Sequence, residues 1–269
     1  MRRHHDETGR TDAKVGQVTR RRILVTGSSR GIGRAVAEAF AATGDTVAIH
    51  HRDSAALAAE VLAGLPGDGH VVVHGDIADP QAVRTLVDEA AGRLGGLDVL
   101  VNNAASYGRR GHPISELSYE QWQDVWRETI GLNLIGAANV TWCAVQHMIA
   151  AGGGHIVNVS SRGAFRGEPS QPAYGASKAG LNALGQSLAV ALAPHNITVA
   201  AVAPGFVQTD MAAAHLQGED GDAIRAQSPF GRVATPAEVA AAVVFLASPA
   251  ARWASGAILD LNGASYLRT

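Results

Sequence analysis

Tyr174 and Lys178 stand four residues apart in the run Tyr174-Gly175-Ala176-Ser177-Lys178. On a helix, that spacing sets a phenol and an ammonium on one face. An isolated tyrosine ionises at a pH of about 10, so its conjugate base is scarce near neutrality. A nearby ammonium stabilises the tyrosinate and lowers that value. Such a pair suits a reaction in which charge builds on an oxygen and a proton must arrive with it. Hydride addition to a ketone is one.

A second group of residues suits phosphate rather than proton chemistry. Thr26-Gly27-Ser28-Ser29-Arg30-Gly31-Ile32-Gly33 lies between a strand-like run and a helix-like run. A pyrophosphate placed there meets backbone N–H groups and the positive end of the helix dipole. Glycine is required where a side chain would block the phosphate or the helix–strand packing. The spacing is T-G-x-x-x-G-x-G, not G-x-G-x-x-G, and no Lys-Ser/Thr pair of a phosphate-loop NTPase follows.

These groups need a scaffold, and the periodicity predicts one. Strand-like runs cover 22–26, 46–50, 70–74, 97–101, 155–160, 197–202 and 257–261. Most are apolar throughout, as in a parallel sheet covered on both faces. Helices are expected at about 33–43, 54–65, 80–94, 119–151, 173–193 and 236–248. Thr235-Pro236-Ala237-Glu238 reads as an N-cap, a Pro at the first helical position and a capping-box acid. The alternation predicts an α/β fold: one doubly wound (Rossmann) parallel sheet of about seven strands, helices on both faces, over residues 21–269. Residues 205–232 show no clear period and are expected to form a substrate lid. Residues 1–20 are polar and net basic, and read as a flexible extension.

Composition removes several alternatives. The chain has 269 residues, with 46% hydrophobic and 17% charged, a globular balance rather than a disordered one. Its formal charge of −2 argues against a nucleic-acid binder. One cysteine, Cys143, excludes an intramolecular disulfide and a cysteine metal cluster. None of the 11 histidines falls in a triad or zinc pattern, so no metal is expected. His50 and His51 close a strand, and His112 and His155 have no assigned role. No apolar segment reads as a membrane span or secretion signal, which leads to the expectation of a cytoplasmic protein.

Taken together, the motifs resemble the short-chain dehydrogenase/reductase family across residues 21–263. Beside the glycine loop, Asn102-Asn103-Ala104-Ala105 is similar to the family's N-N-A-G, with Ala in the last place. Asn133 resembles its helix Asn. Ser161, 13 residues before Tyr174, resembles its catalytic Ser, with Ser160 as the rival. Pro204-Gly205 with Thr209, and Gly231-Arg232 with Pro236, resemble later segments. The resemblance implies a nicotinamide oxidoreductase acting on a carbonyl or secondary alcohol. Tyr174 would be the acid/base, and Lys178 would lower its pKa and hold the nicotinamide ribose. Ser161 would bond the substrate oxygen, and Asn133 would hold a water linking Lys178 to solvent.

The resemblance also implies a cofactor-binding set: Gly27, Ser29, Arg30, Gly31, Ile32, Gly33, His51, Arg52, Asp76, Ile77, Asn103, Ala104, Pro204, Gly205, Val207 and Thr209, with Tyr174 and Lys178. An acid at the end of the second strand selects NAD, and an arginine there accommodates the 2′-phosphate of NADP. His51 occupies the acid's position and Arg52 follows it, so Arg52 and Arg30 could clamp the 2′-phosphate. The expected cofactor is NADP(H) rather than NAD(H), with Asp53 as a ribose acid one place late as the alternative. Asp76 and Ile77 would meet the adenine.

Ser106–Pro113, Arg162–Gln171 and the lid are expected to face a small-molecule substrate, with Tyr107, Arg109, Arg110, Phe165, Arg166, Glu168, Phe206, Met211 and Phe230 among them. An acyl carrier protein partner, as for a 3-oxoacyl-[acyl-carrier-protein] reductase, is disfavoured: Ala150–Gly154 carries no charge and Ala179–Pro194 no Lys or Arg. Two other readings are weaker. A catalytically silent nucleotide-sensing regulator would lack the acid/base set. A nucleotide-sugar epimerase predicts T-G-x-x-G-x-x-G. Helices 119–151 and 173–193, with Trp122, Trp126, Trp142, Leu181, Leu184, Leu188 and Leu192, are expected to form a homo-oligomer, by resemblance a dimer of dimers. Asn262-Gly263-Ala264 departs from the family's frequent D-G-G.

Overall fold

The computed structural model describes residues 20–108, 111–213 and 216–268. The extension up to residue 19, Arg109, Arg110 and the side chain of Met211 lie outside the described residues.

Seven strands build one sheet: β1 (Arg22–Val25), β2 (Thr46–His51), β3 (Val71–His74), β4 (Val99–Asn102), β5 (Gly154–Val159), β6 (Ile197–Pro204) and β7 (Ile258–Leu261). Their order is β3-β2-β1-β4-β5-β6-β7, and every pairing is parallel. The helices are α1 (Gly31–Ala42), α2 (Ala55–Gly64), α3 (Pro80–Leu94), α4 (Tyr119–Ile130), α5 (Ala137–Ala151), α6 (Pro172–Leu192), α7 (Asp210–Ala213), α8 (Gly218–Ala226) and α9 (Pro236–Leu246).

Alternation along the strands divides the core into two layers. On β1, Ile23 and Val25 pack with Val36 and Phe40 of α1 and Val239 and Val243 of α9. Leu24 points the other way, to Leu86 of α3 and Val140 and Met148 of α5. The helix starts follow the residue chemistry. The expected Thr235/Glu238 capping box is present, and Asp79 caps α3 ahead of Pro80. Ser118 and Gln121 form a further capping box at α4.

The helix anticipated over 119–151 is present over that length, with Gly131–Gly136 between α4 and α5 in π-helical geometry. A Cβ on Gly136 would lie 2.7 Å from the Ile77 carbonyl oxygen, so the helix approaches the loop after β3 at contact distance. The run has the length and composition of a membrane span, yet Val140, Ala144 and Met148 are fully buried against the sheet. It is a core helix. The segment 205–232, which has no clear period in the sequence, carries α7 and α8. Val207 bridges Ala234 at its base, and Ser228 Oγ donates to the Gly263 carbonyl at 2.7 Å.

Ala264 follows Gly263 with φ of 58°, a left-handed conformation that a Cβ disfavours by about 1–2 kcal/mol. Ala264→Gly is expected to relieve that strain, partly offset by glycine's unfolded-state entropy. A net gain of about 1 kcal/mol raises Tm by about 2–3 °C. Thermal unfolding of the two proteins measures it, and a lower Tm in the variant contradicts the strain.

The order of the sheet reverses at β1: β2 and β3 lie on one side, β4 to β7 on the other. In parallel sheets the crevice outside the strand ends at such a point is where ligands bind.

Candidate active site

The glycine loop leaves β1 at that crevice. Gly27 and Gly31 have φ of 64° and 57°. A Cβ on Gly33 would overlap the Gly27 carbonyl and come within 2.5 Å of Asn103 Nδ2. The loop is held by its neighbour strand. Thr26 Oγ1 accepts from the N–H groups of Asn103 and Ala104, each at 3.0 Å. Asn103 Nδ2 donates to the carbonyls of Thr26 and Gly27 at 2.9 and 3.0 Å. Thr209 closes the far side, with its Cγ2 3.4 Å from where a Gly31 Cβ would sit. No side chain caps α1, so its first-turn N–H groups remain for an anion. This cradle fits a dinucleotide pyrophosphate.

His50 was missed as a loop support. Its Nδ1 accepts from the Gly27 N–H at 2.9 Å, which places the proton on Nε2, bonded to the Gly75 carbonyl at 2.9 Å. Burial lowers its pKa to about 4, so the ring is neutral. Nothing in the sequence distinguishes this histidine from its neighbour.

The adenine end is more crowded than expected. Arg52 is ion-paired with Asp53 at 2.6 Å and lies 3.9 Å from Asp76. Arg30 is exposed. His51 is buried against the His74 ring, and its Nδ1 has no hydrogen-bond partner. Asp76 caps its own turn by accepting from the Ala78 N–H at 2.9 Å. Ile77 is 2% exposed within the core, leaving its side chain little surface for an adenine ring.

The acid/base residues converge at the carboxyl ends of β4, β5 and β6. Tyr174 and Lys178 share one face of α6, and Lys178 Nζ lies 5.8 Å from the Tyr174 ring centroid. Tyr174 lines one cleft with Ser161, which eases ionisation of its phenol, and with Tyr107, which hinders it. The two tyrosine rings stand 4.3 Å apart. Ser160, the rival, is buried and donates to the Lys178 carbonyl at 3.3 Å, which makes it a strut of α6.

One electrostatic expectation fails in sign. Burial pushes the Tyr174 phenol well above its ordinary value, and Tyr107 adds to this. Lys178 is itself sealed from water, which lowers its pKa to about 8. Its Nζ donates to the Val159 carbonyl at 2.8 Å, leaving two further N–H donors. The spacing on α6 is as expected, but burial sets the direction of the Tyr174 shift.

Asn133, inside the π-helical stretch, clamps two elements together. Its Oδ1 accepts from the Ser106 N–H, and its Nδ2 donates to the Ser106 carbonyl and to Ser177 Oγ, at 2.9, 2.9 and 3.1 Å. Ser177 Oγ donates to the Tyr174 carbonyl at 2.7 Å. His112, fully buried, accepts from the Ala173 N–H at 3.2 Å and ties the loop after β4 to the start of α6.

A cleft of about 140 Å³ opens above Tyr174 and Ser161, lined also by Tyr107, Glu168, Phe206 and Arg162. Pro204 and Gly205 border it, whereas Phe230 is 75% exposed and Phe165 is covered by Arg268. Arg162 was not singled out from the sequence. Its position directly after Ser161 was the available signal. It is 5% exposed, and burial, then the neighbouring Arg166 charge, lowers its pKa.

Comparison with known proteins agrees with this geometry. The family model described as enoyl-(acyl carrier protein) reductase matches residues 27–263. A 3-oxoacyl-[acyl-carrier-protein] reductase of Aquifex aeolicus is 38% identical over 90% of this chain and 96% of its own. A cis-4-hydroxycyclohexanecarboxylate dehydrogenase of Sinomonas cyclohexanicum is 40% identical over 93% of this chain and 98% of its own. A short-chain dehydrogenase from Burkholderia cenocepacia, solved in complex with NADP, superposes with a TM-score of 0.81 at 37% identity, covering 91% and 97% of the two chains. The chain belongs to the short-chain dehydrogenase/reductase family and is an oxidoreductase.

Proposed function

We propose that the chain is an NADP(H)-dependent carbonyl reductase or alcohol dehydrogenase. The observation that carries this is Tyr174 and Ser161 lining one cleft, with Lys178 buried one turn along α6. The nicotinamide supplies or accepts the hydride. Tyr174 gives its proton to the carbonyl oxygen in reduction and takes it back in oxidation. Ser161 bonds the same oxygen and orients it. Lys178 holds the ribose through its remaining donors and favours the tyrosinate as it forms. The Asn133 clamp fixes the Tyr174 turn, and the π-helical backbone around it offers carbonyl groups to a water linked to Lys178. Gly27, Gly31 and Gly33 leave room for the pyrophosphate beside Ser29, Arg30 and Ile32. Asn103, Ala104, Pro204, Gly205, Val207 and Thr209 border the nicotinamide half.

The absence of an acid at His51, together with Arg52 and Arg30, supports NADP(H), as does the NADP-bound relative. The Arg52–Asp53 pair must open or turn to meet a 2′-phosphate. Arg52→Asp is expected to shift the NADPH/NADH ratio of kcat/KM at least about tenfold toward NADH, the scale of one lost charge-assisted contact. Initial rates with both cofactors read it, and an unchanged ratio clears Arg52 of the role. The function itself is tested by NADPH consumption across keto acids, β-keto esters, quinones, sugars and acyl thioesters. No turnover with any carbonyl contradicts it.

A carrier-protein substrate has the support of the 3-oxoacyl reductase relative. Against it stands the stretch after Lys178 on α6, which has no Lys or Arg. The regulator reading has no support in a site whose tyrosine, serine and lysine are assembled. For assembly, two groups of exposed apolar side chains support a dimer of dimers. Tyr119, Trp142 and Val190 lie on α4, α5 and α6; Phe245, Trp253 and Leu259 lie on or near α9 and β7. Leu181 and Leu192, expected at the interface, are instead in the core.

A further inference from the structure

Arg162 is buried at the wall of the cleft with half of its guanidinium unused. Nη1 donates to Gln227 Oε1 at 3.0 Å and to Ser265 Oγ at 2.6 Å. Both partners are neutral. Nε and Nη2 donate to nothing among the described residues. Neither of these atoms is sealed from solvent, although the residue is only 5% exposed. Nε and Nη2 form the edge of the guanidinium that grips a carboxylate with two parallel bonds. No carboxylate of the described residues lies within 4.0 Å of Arg162.

Its surroundings point the same way. A second guanidinium, that of Arg166, donates to the same Gln227 oxygen at 2.9 Å, so two cations share one neutral acceptor. The Phe206 ring lies under Arg162 at 5.4 Å, holding the plane in place. Glu168 lines the same cleft and faces both guanidiniums, but makes no ion pair within 4.0 Å among the described residues. One carboxylate facing two guanidiniums leaves the wall with a net positive charge; a buried charge that is only partly offset is costly, and an anionic ligand removes that cost. The cofactor's phosphates do not fill this role, because their cradle lies after β1 while Arg162 follows β5. The cleft is small, about 140 Å³, and opens to solvent.

We propose that Arg162 binds the carboxylate of a compact oxo acid or hydroxy acid whose carbonyl or alcohol reacts at Tyr174. The inference rests on the oxidoreductase site above and adds the substrate class. Gln227, at the end of α8, links the anion site to the lid.

The test uses the full chain with matched probes. NADPH-dependent reduction of 4-oxocyclohexanecarboxylate is compared with that of its methyl ester, in wild type, Arg162→Gln and Arg162→Lys. Wild type is expected to favour the acid at least about tenfold in kcat/KM. Arg162→Gln is expected to lose about 10²-fold on the acid and to stay within about threefold on the ester. Arg162→Lys keeps charge without the fork and is expected to fall between. Calorimetric binding of cyclohexanecarboxylate against its methyl ester reads the anion site without turnover, and thermal unfolding checks that each variant folds. Equal handling of acid and ester by wild type in both assays, or an acid preference that survives in Arg162→Gln, overturns the proposal. Carboxylate binding that depends on Arg162, with no reduction of any carbonyl, instead overturns the reductase reading and leaves the anion site standing.

Discussion

Tyr174→Phe is expected to lower kcat at least about 10²-fold, with the KM for NADPH nearly unchanged. The substitution removes one oxygen and keeps the ring that packs 4.3 Å from Tyr107. The fold and the cofactor cradle are left intact, since neither Gly33 nor Asn103 touches that hydroxyl. What is lost is the proton donor beside Ser161 in the cleft, and general acid catalysis of this kind contributes about 10²–10⁴-fold. Ser161 remains to polarise the oxygen, so some activity survives. A loss shared equally by kcat and kcat/KM is the signature of a group acting only in the transition state. Turnover at the wild-type rate sinks the assigned role. A loss that appears only in KM assigns the hydroxyl to binding instead.

The second large effect is on Lys178, where activity and stability are expected to move in opposite directions. Lys178→Met should cost at least about 10²-fold in kcat/KM, through the lost ribose donors and the lost charge beside the tyrosinate. Stability should rise. Burial holds the folded pKa at about 8, against about 10.4 for an unfolded lysine. Below pH 8 the ammonium is charged in both states, and the folded state carries a penalty of about 3 kcal/mol. Removing the bond to the Val159 carbonyl takes back about 1 kcal/mol. The variant should therefore unfold several degrees above wild type at pH 7. Relative to Lys178→Met, wild type should gain stability as pH rises from about 8 to 10.4, where the unfolded lysine binds a proton that the folded one has lost. Thermal unfolding of both proteins across that range measures the two effects, and the raised Tyr174, Tyr107 and Cys143 groups, common to both, cancel in the comparison. A destabilised Lys178→Met, or a gap between the two proteins that does not narrow over this interval, contradicts the desolvated ammonium.

The parts of the site legible in the sequence are those set by local spacing. Four residues on one helix bring Tyr174 and Lys178 together. A strand-to-helix glycine loop predicts Gly27, Gly31 and Gly33 at the sheet's carboxyl edge, and the strand alternation of Ile23, Leu24 and Val25 predicts both core layers. The interval to Tyr174 favoured Ser161 over Ser160, and the cleft agrees. What escaped depends on distant partners. Arg162 becomes a cleft residue only when Gln227 and Ser265, 65 and 103 positions away, fold back onto it. His50 supports the loop only because the register of β2 sets it beside Gly27. The π-helical stretch around Asn133, which brings Gly136 close to Ile77, is encoded by no helical period. The direction of the Tyr174 shift was missed for a related reason. Spacing reveals the nearby ammonium, whereas the upward shift comes first from burial by surrounding elements and then from Tyr107.

The pH dependence of kcat/KM for alcohol oxidation, in wild type and Tyr174→Phe, reads the proton relay most directly. Oxidation requires the phenol to accept a proton, so the wild-type rate should climb with pH through a single ionisation. The residual rate of the phenylalanine variant should lack that step. The same rising limb in both proteins would assign the proton transfer to another group and contradict the account.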